Sequence, residues 1–328
     1  MGMRKITYID AIIEAQREEM QRDENVFVLG EDVGLYGGVF KATKGLMDEF
    51  GFYRCLDTPI SESAIVGIAT GAALMGMRPI AEIQFADFIG GAHDQICQQA
   101  AKIYYRTGGT WPVPITIRCP YGGDVGGGMY HSQSNEAWYC HVAGLKVVVP
   151  STPYDAKGLL KAAIRDNNPV LYFEHKKLYR TIKEPVPDDD FVVPIGKADV
   201  KKPGRHLSIF SFGLMFHRSM QAAMKLREEG IDVEVVDLRT LLPLDMETIV
   251  ESVKKTGKAM VVHEAPKYGG IGGEIASAIV EECWDYLDGP VVRVAAPDTP
   301  VPFHPKMEQL YLPSVERIYQ EAKQLFEY

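Results

Sequence analysis

The sequence lacks the features that define several protein classes. It has five cysteines, an odd number, and no C-x-x-C pair, which argues against a disulfide framework or a zinc site and favours a reducing compartment. No lysine- and arginine-rich block stands out among 35 basic and 44 acidic residues, so nucleic-acid binding is not expected. The longest mostly apolar run, 64–77, is too short and too glycine-rich to span a membrane.

The N-terminal residues lack the apolar core of a signal peptide and run directly into an amphipathic segment. We therefore expect a cytoplasmic protein, or a protein of the mitochondrial matrix if the source is eukaryotic and the chain is processed. The sequence also has no G-x-S-x-G elbow and no H-E-x-x-H motif, which disfavours hydrolases of those two types.

The 328 residues, 46% hydrophobic and 24% charged, are enough for about two globular domains. Helical patterns at 7–22, 63–76, 92–106 and 153–165 alternate with short apolar runs, which predicts a parallel sheet covered by helices. A proline- and charge-rich stretch interrupts the alternation, which then restarts at Leu207. We predict an α/β domain over 1–185, a linker over 186–206 and a smaller α/β domain over 207–328.

Three polar positions are candidates for function. Glu31 follows a predicted strand, where α/β folds bind ligands, although a turn with solvated acids would look the same. Glu62 precedes an apolar helix, so it is either a capping acid or, if it faces an apolar pocket, a group that exchanges a proton with a heteroaromatic nitrogen. His131 follows a glycine-rich stretch at 122–128 and is either a proton-transfer group or an ordinary surface histidine.

Taken together, the chain resembles the β subunit of the thiamine-diphosphate-dependent decarboxylating component of 2-oxo acid dehydrogenase complexes. The resemblance covers nearly the whole chain, and its strength comes from the order and spacing of motifs that are individually weak. The motifs are Leu29-Gly-Glu-Asp-Val33, Asp57-Thr-Pro-Ile-Ser-Glu62, Gly76-Met-Arg-Pro79, Asp94-Gln95, Ala100-Ala-Lys102, His131-Ser-Gln133, Gly144-Leu-Lys-Val-Val148, Asp155-Ala-Lys-Gly-Leu-Leu160 and Pro297-Asp-Thr-Pro300.

The resemblance implies a fold and roles for particular residues. The fold is a parallel-sheet pyrimidine-binding α/β domain followed by a transketolase C-terminal-like α/β domain. Glu62 would hydrogen-bond N1′ of the aminopyrimidine of thiamine diphosphate, and Phe88, which could equally be a core residue, would pack on that ring. His131 would orient or protonate the incoming lipoyl group.

The resemblance also implies a potassium site built from oxygen ligands, which suit a hard cation. From the residues alone, the segment 166–168 would be a simple helix stop. The implied ligands are backbone oxygens of Ile115, Ala163, Ile164 and Asp166 together with Asn168.

The sequence lacks the diphosphate and Mg²⁺ half of such a cofactor site. That half resembles G-D-G followed about two dozen residues later by Asn-Asn, and Gly123-Asp124-Val125 does not match it. The resemblance therefore implies that a separate α subunit supplies those ligands in an α2β2 heterotetramer. Buried interfaces could use apolar residues that a single-domain core would also contain, namely Met75, Met77, Tyr104, Tyr105 and Trp111.

The expected reaction is oxidative decarboxylation of a small 2-oxo acid with reductive acylation of the lipoyl group of a dihydrolipoyl acyltransferase. Segments 134–139, 173–180 and 263–266 look more similar to branched-chain members, which favours 3-methyl-2-oxobutanoate, with pyruvate or acetoin as alternatives. In bacterial relatives the C-terminal domain docks the basic subunit-binding domain of the acyltransferase. The acidic residues available for docking, or simply for solvation, are Glu281, Glu282, Asp285, Asp288 and the carboxylate of Tyr328.

Two other functions remain open from the sequence. A non-catalytic scaffold that binds only the acyltransferase would need neither Glu62 nor His131, so their presence disfavours it. A single-chain transketolase-type enzyme is disfavoured by the missing diphosphate motif.

Overall fold

The computed structural model describes residues 2–328, which form two compact units. The first unit contains the chain up to Tyr121 together with Trp138–Ile195, and the second contains Gly122–Ala137 and Gly196–Tyr328. The segment that carries His131 therefore groups with the C-terminal residues, although the predicted boundary at 185 places it with the N-terminal ones. The division into domains at 1–185 and 207–328 stays a prediction.

The first unit is built on a parallel sheet. Six of its strands follow the order β6-β7-β5-β4-β2-β3, and a separate antiparallel pair joins β1 to β8. The strands are β1 Met3–Thr7, β2 Val26–Gly30, β3 Cys55–Asp57, β4 Arg78–Glu82, β5 Thr116–Tyr121, β6 Lys146–Val148, β7 Val170–His175 and β8 Lys183–Pro187. The helices along this part of the chain are α1 Tyr8–Arg22, α2 Leu46–Phe50, α3 Glu62–Leu74, α4 Ala101–Arg106, α5 Ala137–Cys140, α6 Pro153–Arg165 and α7 Leu178–Thr181.

The strand register places the last residues of three neighbouring strands at one edge of this sheet, beside the candidate residue Glu31. Gly30, the last residue of β2, is paired with Asp57 of β3 on one side and with Glu82 of β4 on the other. Because the strands are parallel, all three residues lie at the carboxyl edge, where the loops of an open α/β sheet form ligand sites.

Local sequence signals explain why α1 and α6 form where they do. Thr7 and Asp10 make the reciprocal capping box at the start of α1, and the side chain of Thr152 caps α6, whose first residue is Pro153. Ion pairs between the two helices include Lys157 with Glu14 at 3.3 Å. The predicted helices at 7–22 and 153–165 are confirmed to within one residue.

The second unit repeats the α/β plan on a smaller sheet. The strand order is β14-β13-β10-β11-β9, with β9 antiparallel and the other pairs parallel. Its strands are β9 Asp199–Lys202, β10 Leu207–Ser211, β11 Val233–Asp237, β12 Thr240–Leu242, β13 Ala259–Pro266 and β14 Val292–Ala296. Its helices are α8 Gly213–Glu228, α9 Met246–Thr256, α10 Ile271–Cys283, α11 Pro305–Tyr311 and α12 Val315–Glu327.

Two local predictions differ from the structure. The stretch predicted as linker, 186–206, contains β9, and its first two residues belong to β8. The prolines of β8 are tolerated because this strand pairs with only one other strand. The helix predicted over 92–106 is present over 93–106, but its segment Gln95–Ala100 is π-helical rather than α-helical and runs into α4. A 3-10 segment at Ala86–Ala92, which was not predicted, leads into it. Irregular helical turns of this kind are frequent at functional sites.

Candidate active site

Carboxylates gather at the carboxyl edge of the first sheet. Glu31, directly after β2, is 7% exposed, and burial is the main cause of its raised pKa. The negative charges of Glu62, Asp32 and Glu82 raise the pKa further, in that order of importance. Glu31 is therefore not one of the solvated turn acids that the sequence allowed; it lies within electrostatic reach of Glu62.

Glu62 occupies the first position of α3, but it does not provide the cap. The hydroxyl of Ser61 accepts the hydrogen bond from the amide of Ala64 at 3.4 Å, which leaves the Glu62 carboxylate available for another role. The carboxylate lies beside the backbone of Gly91, where an added Cβ would come 3.4 Å from Glu62 Oε2.

Phe88 lies on the same 3-10 segment as Gly91, so the structure places Phe88 on an element adjacent to Glu62. Its ring is half-buried and packs edge-on against Phe85, with ring centroids 5.8 Å apart. Part of the side chain is therefore exposed, which a residue that contacts a ligand requires.

The polar atoms around Glu62 fit a heteroaromatic ring that carries N–H groups. In the described residues, no hydrogen-bond partner lies within reach of the buried atoms Glu31 Oε1 and Thr58 Oγ1. The amide of Thr58 donates to the carbonyl of Gly30 at 2.9 Å, which keeps both side chains at the same sheet edge. Buried polar atoms without partners are costly, so these two are natural contacts for a polar ligand.

A buried charge network lies under this edge. Arg118 of β5 is fully buried and donates to Glu82 Oε2 at 2.5 Å and to Glu174, whose carboxylate also accepts the hydroxyl of Tyr179 at 2.9 Å. Burial raises the pKa of Glu174, and Arg118 opposes that shift. We did not predict these residues, although an arginine within an apolar strand is an unusual pattern that could have indicated them.

The residues of the implied potassium site adjoin the end of α6. The carbonyl oxygens of Ile164 and Asp166 converge, because both accept hydrogen bonds from Arg78 Nη1, at 3.0 and 3.1 Å. The Ala163 carbonyl accepts the amide of Asp166 at 3.2 Å, and the Ile115 carbonyl accepts that of Val170 at 3.0 Å.

The carboxylate of Asp166 holds this turn in place. It binds Lys146 and accepts the amide of Asn168 at 2.8 Å. Each carbonyl of the set keeps a second lone pair, so the oxygens fit a cation, but Arg78 already places a positive charge against two of them.

His131 lies in the second unit, whereas Glu62 and Phe88 lie in the first. It is half-buried, and its amide donates to the carbonyl of Gly128 at 3.3 Å. The chain folds back so tightly that a Cβ on Gly127 would come 2.9 Å from the Cβ of His131. His131 therefore belongs to an ordered turn.

Carboxylates of the second unit hold the loop that leads to His131. Glu264 accepts the amide of Gly123, and Glu308 accepts the amide of Gly126 at 3.1 Å. Further along the segment, Glu136 is fully buried, and burial raises its pKa to about 7 although Ser134 donates a hydrogen bond to it at 2.7 Å. The role of Glu308 was not predicted, because nothing in the sequence around it indicates a contact with residues 123–126.

Residues 2–328 show neither a metal-binding cluster nor a membrane-spanning helix. No group of three or more histidine, cysteine, aspartate or glutamate side chains is arranged to hold a metal ion. None of the helices has the length and hydropathy that crossing a bilayer requires.

Comparisons with known proteins agree with this arrangement. The model of the family described as "Transketolase, pyrimidine binding domain" matches residues 4–181, and that of "Transketolase, C-terminal domain" matches residues 196–318. A solved structure described as "Split gene transketolase, inactive beta4 tetramer" superposes with a TM-score of 0.81 at 24% identity, covering 98% of each chain. The predicted fold class, two transketolase-like α/β domains, is confirmed.

Curated relatives match over their whole length. The chain is 54% identical to the 2-oxoisovalerate dehydrogenase subunit beta of Bacillus subtilis (strain 168), over 99% of this chain and 100% of the relative. It is 49% identical to the pyruvate dehydrogenase E1 component subunit beta of the same organism, with the same coverage. The Staphylococcus aureus (strain N315) pyruvate dehydrogenase E1 component subunit beta is 46% identical, again over 99% and 100%. The predicted resemblance is thus confirmed, and the chain belongs to the β subunits of the thiamine-diphosphate-dependent 2-oxo acid dehydrogenases.

Proposed function

We propose that this β subunit serves a branched-chain 2-oxo acid dehydrogenase, which decarboxylates 3-methyl-2-oxobutanoate and its homologues and transfers the acyl group to a lipoyl group. The observation that carries the substrate assignment is the higher identity to the 2-oxoisovalerate enzyme, 54%, than to the pyruvate enzymes, 49% and 46%. Because the pyruvate relatives are close, a pyruvate dehydrogenase β subunit is the second candidate, with an acetoin enzyme as a further alternative.

The sheet edge around Glu62 supports binding of the aminopyrimidine of thiamine diphosphate. The cofactor, when bound, supplies the electron sink that makes loss of CO₂ from a 2-oxo acid feasible. Glu62 would hold a proton at N1′ of the ring, and Phe88 would pack against its face. The buried atoms Glu31 Oε1 and Thr58 Oγ1 offer further polar contacts.

An α subunit would complete this site in an α2β2 heterotetramer and supply most of the diphosphate and Mg²⁺ ligands, which the sequence motifs of this chain lack. Exposed apolar side chains of the first unit support such a partner: Met75 is 84% exposed, Tyr105 91% and Trp111 60%. Side chains of this size are usually covered by an interface when they cluster. We place the enzyme in the cytoplasm, or in the mitochondrial matrix of a eukaryotic source.

The substrate assignment is tested with the chain co-expressed with its α subunit, thiamine diphosphate and Mg²⁺. We expect kcat/KM for 3-methyl-2-oxobutanoate to exceed that for pyruvate by about 10- to 200-fold, the discrimination that an additional methylene or two typically provides in an apolar pocket. A preference for pyruvate would keep the mechanism and refute the specificity. Activity on neither acid in a cofactor-loaded complex would favour another 2-oxo acid or a diketone first, and then the scaffold function.

His131 is proposed to serve the second half-reaction. Acyl transfer breaks the lipoyl disulfide: one sulfur takes the acyl group, and the other leaves as a thiolate that needs a proton. An imidazole side chain can orient the ring by hydrogen bonding or supply that proton. We expect His131→Ala to slow acyl transfer to a lipoyl domain more than decarboxylation coupled to an artificial electron acceptor; equal losses would contradict this role.

The oxygens near the end of α6 are proposed to bind K⁺. The convergence of the Ile164 and Asp166 carbonyls supports the site, and the guanidinium of Arg78 would weaken it. We expect a higher thermal midpoint in KCl than in NaCl at equal ionic strength, and loss of that difference in Asn168→Ala. A midpoint that is the same in both salts for the wild type would refute a selective K⁺ site.

The exposed acids at the end of the chain are proposed to dock the subunit-binding domain of the acyltransferase. Glu281, Glu282, Asp285, Asp288 and Tyr328 are all exposed. If these acids form the docking surface, the affinity of the protein for the subunit-binding domain should fall as the salt concentration is raised. It should also be lower in the double variant Glu281→Gln/Glu282→Gln than in the wild type. If neither salt nor the double substitution changes this affinity, these acids do not take part in docking.

A further inference from the structure

The loop that precedes His131 is hydrogen-bonded through its backbone amides to side chains elsewhere in the second unit. Glu308 of α11 is 3% exposed, and its carboxylate accepts the amides of Val125 at 3.4 Å and of Gly126 at 3.1 Å. Glu264, at the end of β13, accepts the amide of Gly123. Two buried carboxylates thus bind three amides within four consecutive residues.

The fit at Gly123 shows how closely the two carboxylates approach the loop. A Cβ built on Gly123 would lie 3.2 Å from Glu308 Oε1 and 3.4 Å from Glu264 Oε1. A Cβ at this position would require the Glu308 carboxylate to shift by a few tenths of an ångström. Both carboxylates therefore lie in close contact with the backbone of the loop.

A third tether uses a side chain. Arg218 of α8 donates to Asp124 Oδ2 at 3.4 Å and to the carbonyl of Pro313 at 2.7 Å. Asp124 has a φ of 61°, a left-handed conformation that an aspartate adopts at some cost and that Arg218 helps to hold. Pro313 follows α11, so Arg218 links the loop to the same part of the unit as Glu308.

The tethered residues control where His131 lies. A Cβ built on Gly127 would lie 2.8 Å from the carbonyl oxygen and 2.9 Å from the Cβ of His131, and the carbonyl of Gly128 accepts the His131 amide. Residues 127–128 thus connect the amides held by Glu308 directly to the turn that contains His131. Hydrogen bonds to a charged acceptor are about twice as strong as neutral ones, which suits Glu308 to this task.

We propose that Glu308, assisted by Glu264 and Arg218, is a positioning residue that fixes the His131 turn for acyl transfer. The inference rests on the proposed role of His131 and adds to it the residue that holds the histidine in place. Glu308 itself does not touch substrate or cofactor in this proposal; it acts through the backbone of 125–128.

The test compares Glu308→Gln with three other variants in the chain assembled with its α subunit. Glu308→Gln keeps the shape of the side chain and removes its charge. Arg218→Gln loosens the loop at a separate point, which guards against a folding defect specific to α11. Glu251→Gln, at an exposed position of α9, is the matched control, and His131→Ala is the reference.

Two readouts are measured for each variant. Hydrogen exchange of the 123–130 peptide reports the loop directly, and we expect about tenfold faster exchange in Glu308→Gln, the effect of losing one charged hydrogen bond. The ratio of lipoyl-domain acylation to decarboxylation with an artificial acceptor reports function, and we expect it to fall about tenfold in Glu308→Gln, to fall in Arg218→Gln, and to stay unchanged in Glu251→Gln.

The possible results distinguish a failure of the positioning role of Glu308 from a failure of the proposed role of His131. Unchanged exchange in Glu308→Gln would overturn the anchoring itself. Faster exchange with an unchanged activity ratio, while His131→Ala lowers that ratio, would overturn positioning alone. An unchanged ratio in His131→Ala would refute the role of the histidine, and the positioning inference would fall with it.

Discussion

Glu136 should make the stability of the protein depend on pH. Its side chain is fully buried, Ser134 donates to one carboxylate oxygen at 2.7 Å, and the other oxygen has no partner among the described residues. Burial raises its pKa to about 7, from an ordinary value of 4.5 for a glutamate carboxyl. A carboxyl group with these properties is most stable when it is protonated.

The direction of the effect follows from proton binding. Between pH 4.5 and 7 the folded chain holds a proton on Glu136 that the unfolded chain has lost, so stability falls as pH rises through this window. A shift of this size corresponds to about 3 kcal/mol at most, at about 1.4 kcal/mol per pKa unit. Below the window the contribution is fully present, and above it the contribution is gone.

Glu136→Gln removes the titration and keeps the shape of the side chain. We expect the variant to match the wild type near pH 4.5 and to be more stable by up to about 3 kcal/mol at pH 8. At about 2–4 °C per kcal/mol, the thermal midpoints should separate by about 5 °C or more. Thermal unfolding of both proteins and of Glu251→Gln, at half-unit steps from pH 4.5 to 8, measures the difference. A difference between the Glu136→Gln and wild-type midpoints that stays constant over this pH range would refute the reasoning.

Two further variants probe the first unit. Arg118→Met leaves Glu82 and Glu174 buried without their cation. We expect denaturant titration to show a loss of about 3–5 kcal/mol in the free energy of unfolding. A loss below about 1 kcal/mol would mean that the two carboxylates become hydrated in the variant. Thr7→Ala removes the capping box of α1, and the same titration should show a loss of about 1 kcal/mol, whereas an unchanged midpoint would show that tertiary packing alone holds the helix start.

The regular parts of the fold could be predicted because their signals are local. The capping box at Thr7, the cap at Thr152 and the apolar runs of the central strands are patterns within a few residues of each other. β8 and β9 could not be predicted in this way, because prolines and charges obscure strands that exist only through their partners. Phe88 lies in an irregular helical segment that packs beside α3. No local sequence pattern encodes such packing, so the sequence did not predict this segment.

The residues of the candidate site also fall into two groups, those that the sequence indicated and those that only the folded chain brings together. Glu62 and His131 lie in the motifs that carry the resemblance to the family, and Phe88 was assigned from the same resemblance. Glu31 looked like a solvated turn acid because burial is a tertiary property. Glu308 lies more than 180 positions from the amides it binds, and separations of that kind are visible only once the chain is folded.

The most direct test of the account is the activity of Glu62→Gln in the chain assembled with its α subunit. Decarboxylation of 3-methyl-2-oxobutanoate with an artificial electron acceptor should fall by about 10²-fold or more, the usual contribution of a positioned proton-transfer group. The thermal midpoint should change little, because Ser61, not Glu62, caps α3. Turnover near that of the wild type would contradict the assignment of Glu62 and of the sheet edge as the cofactor site.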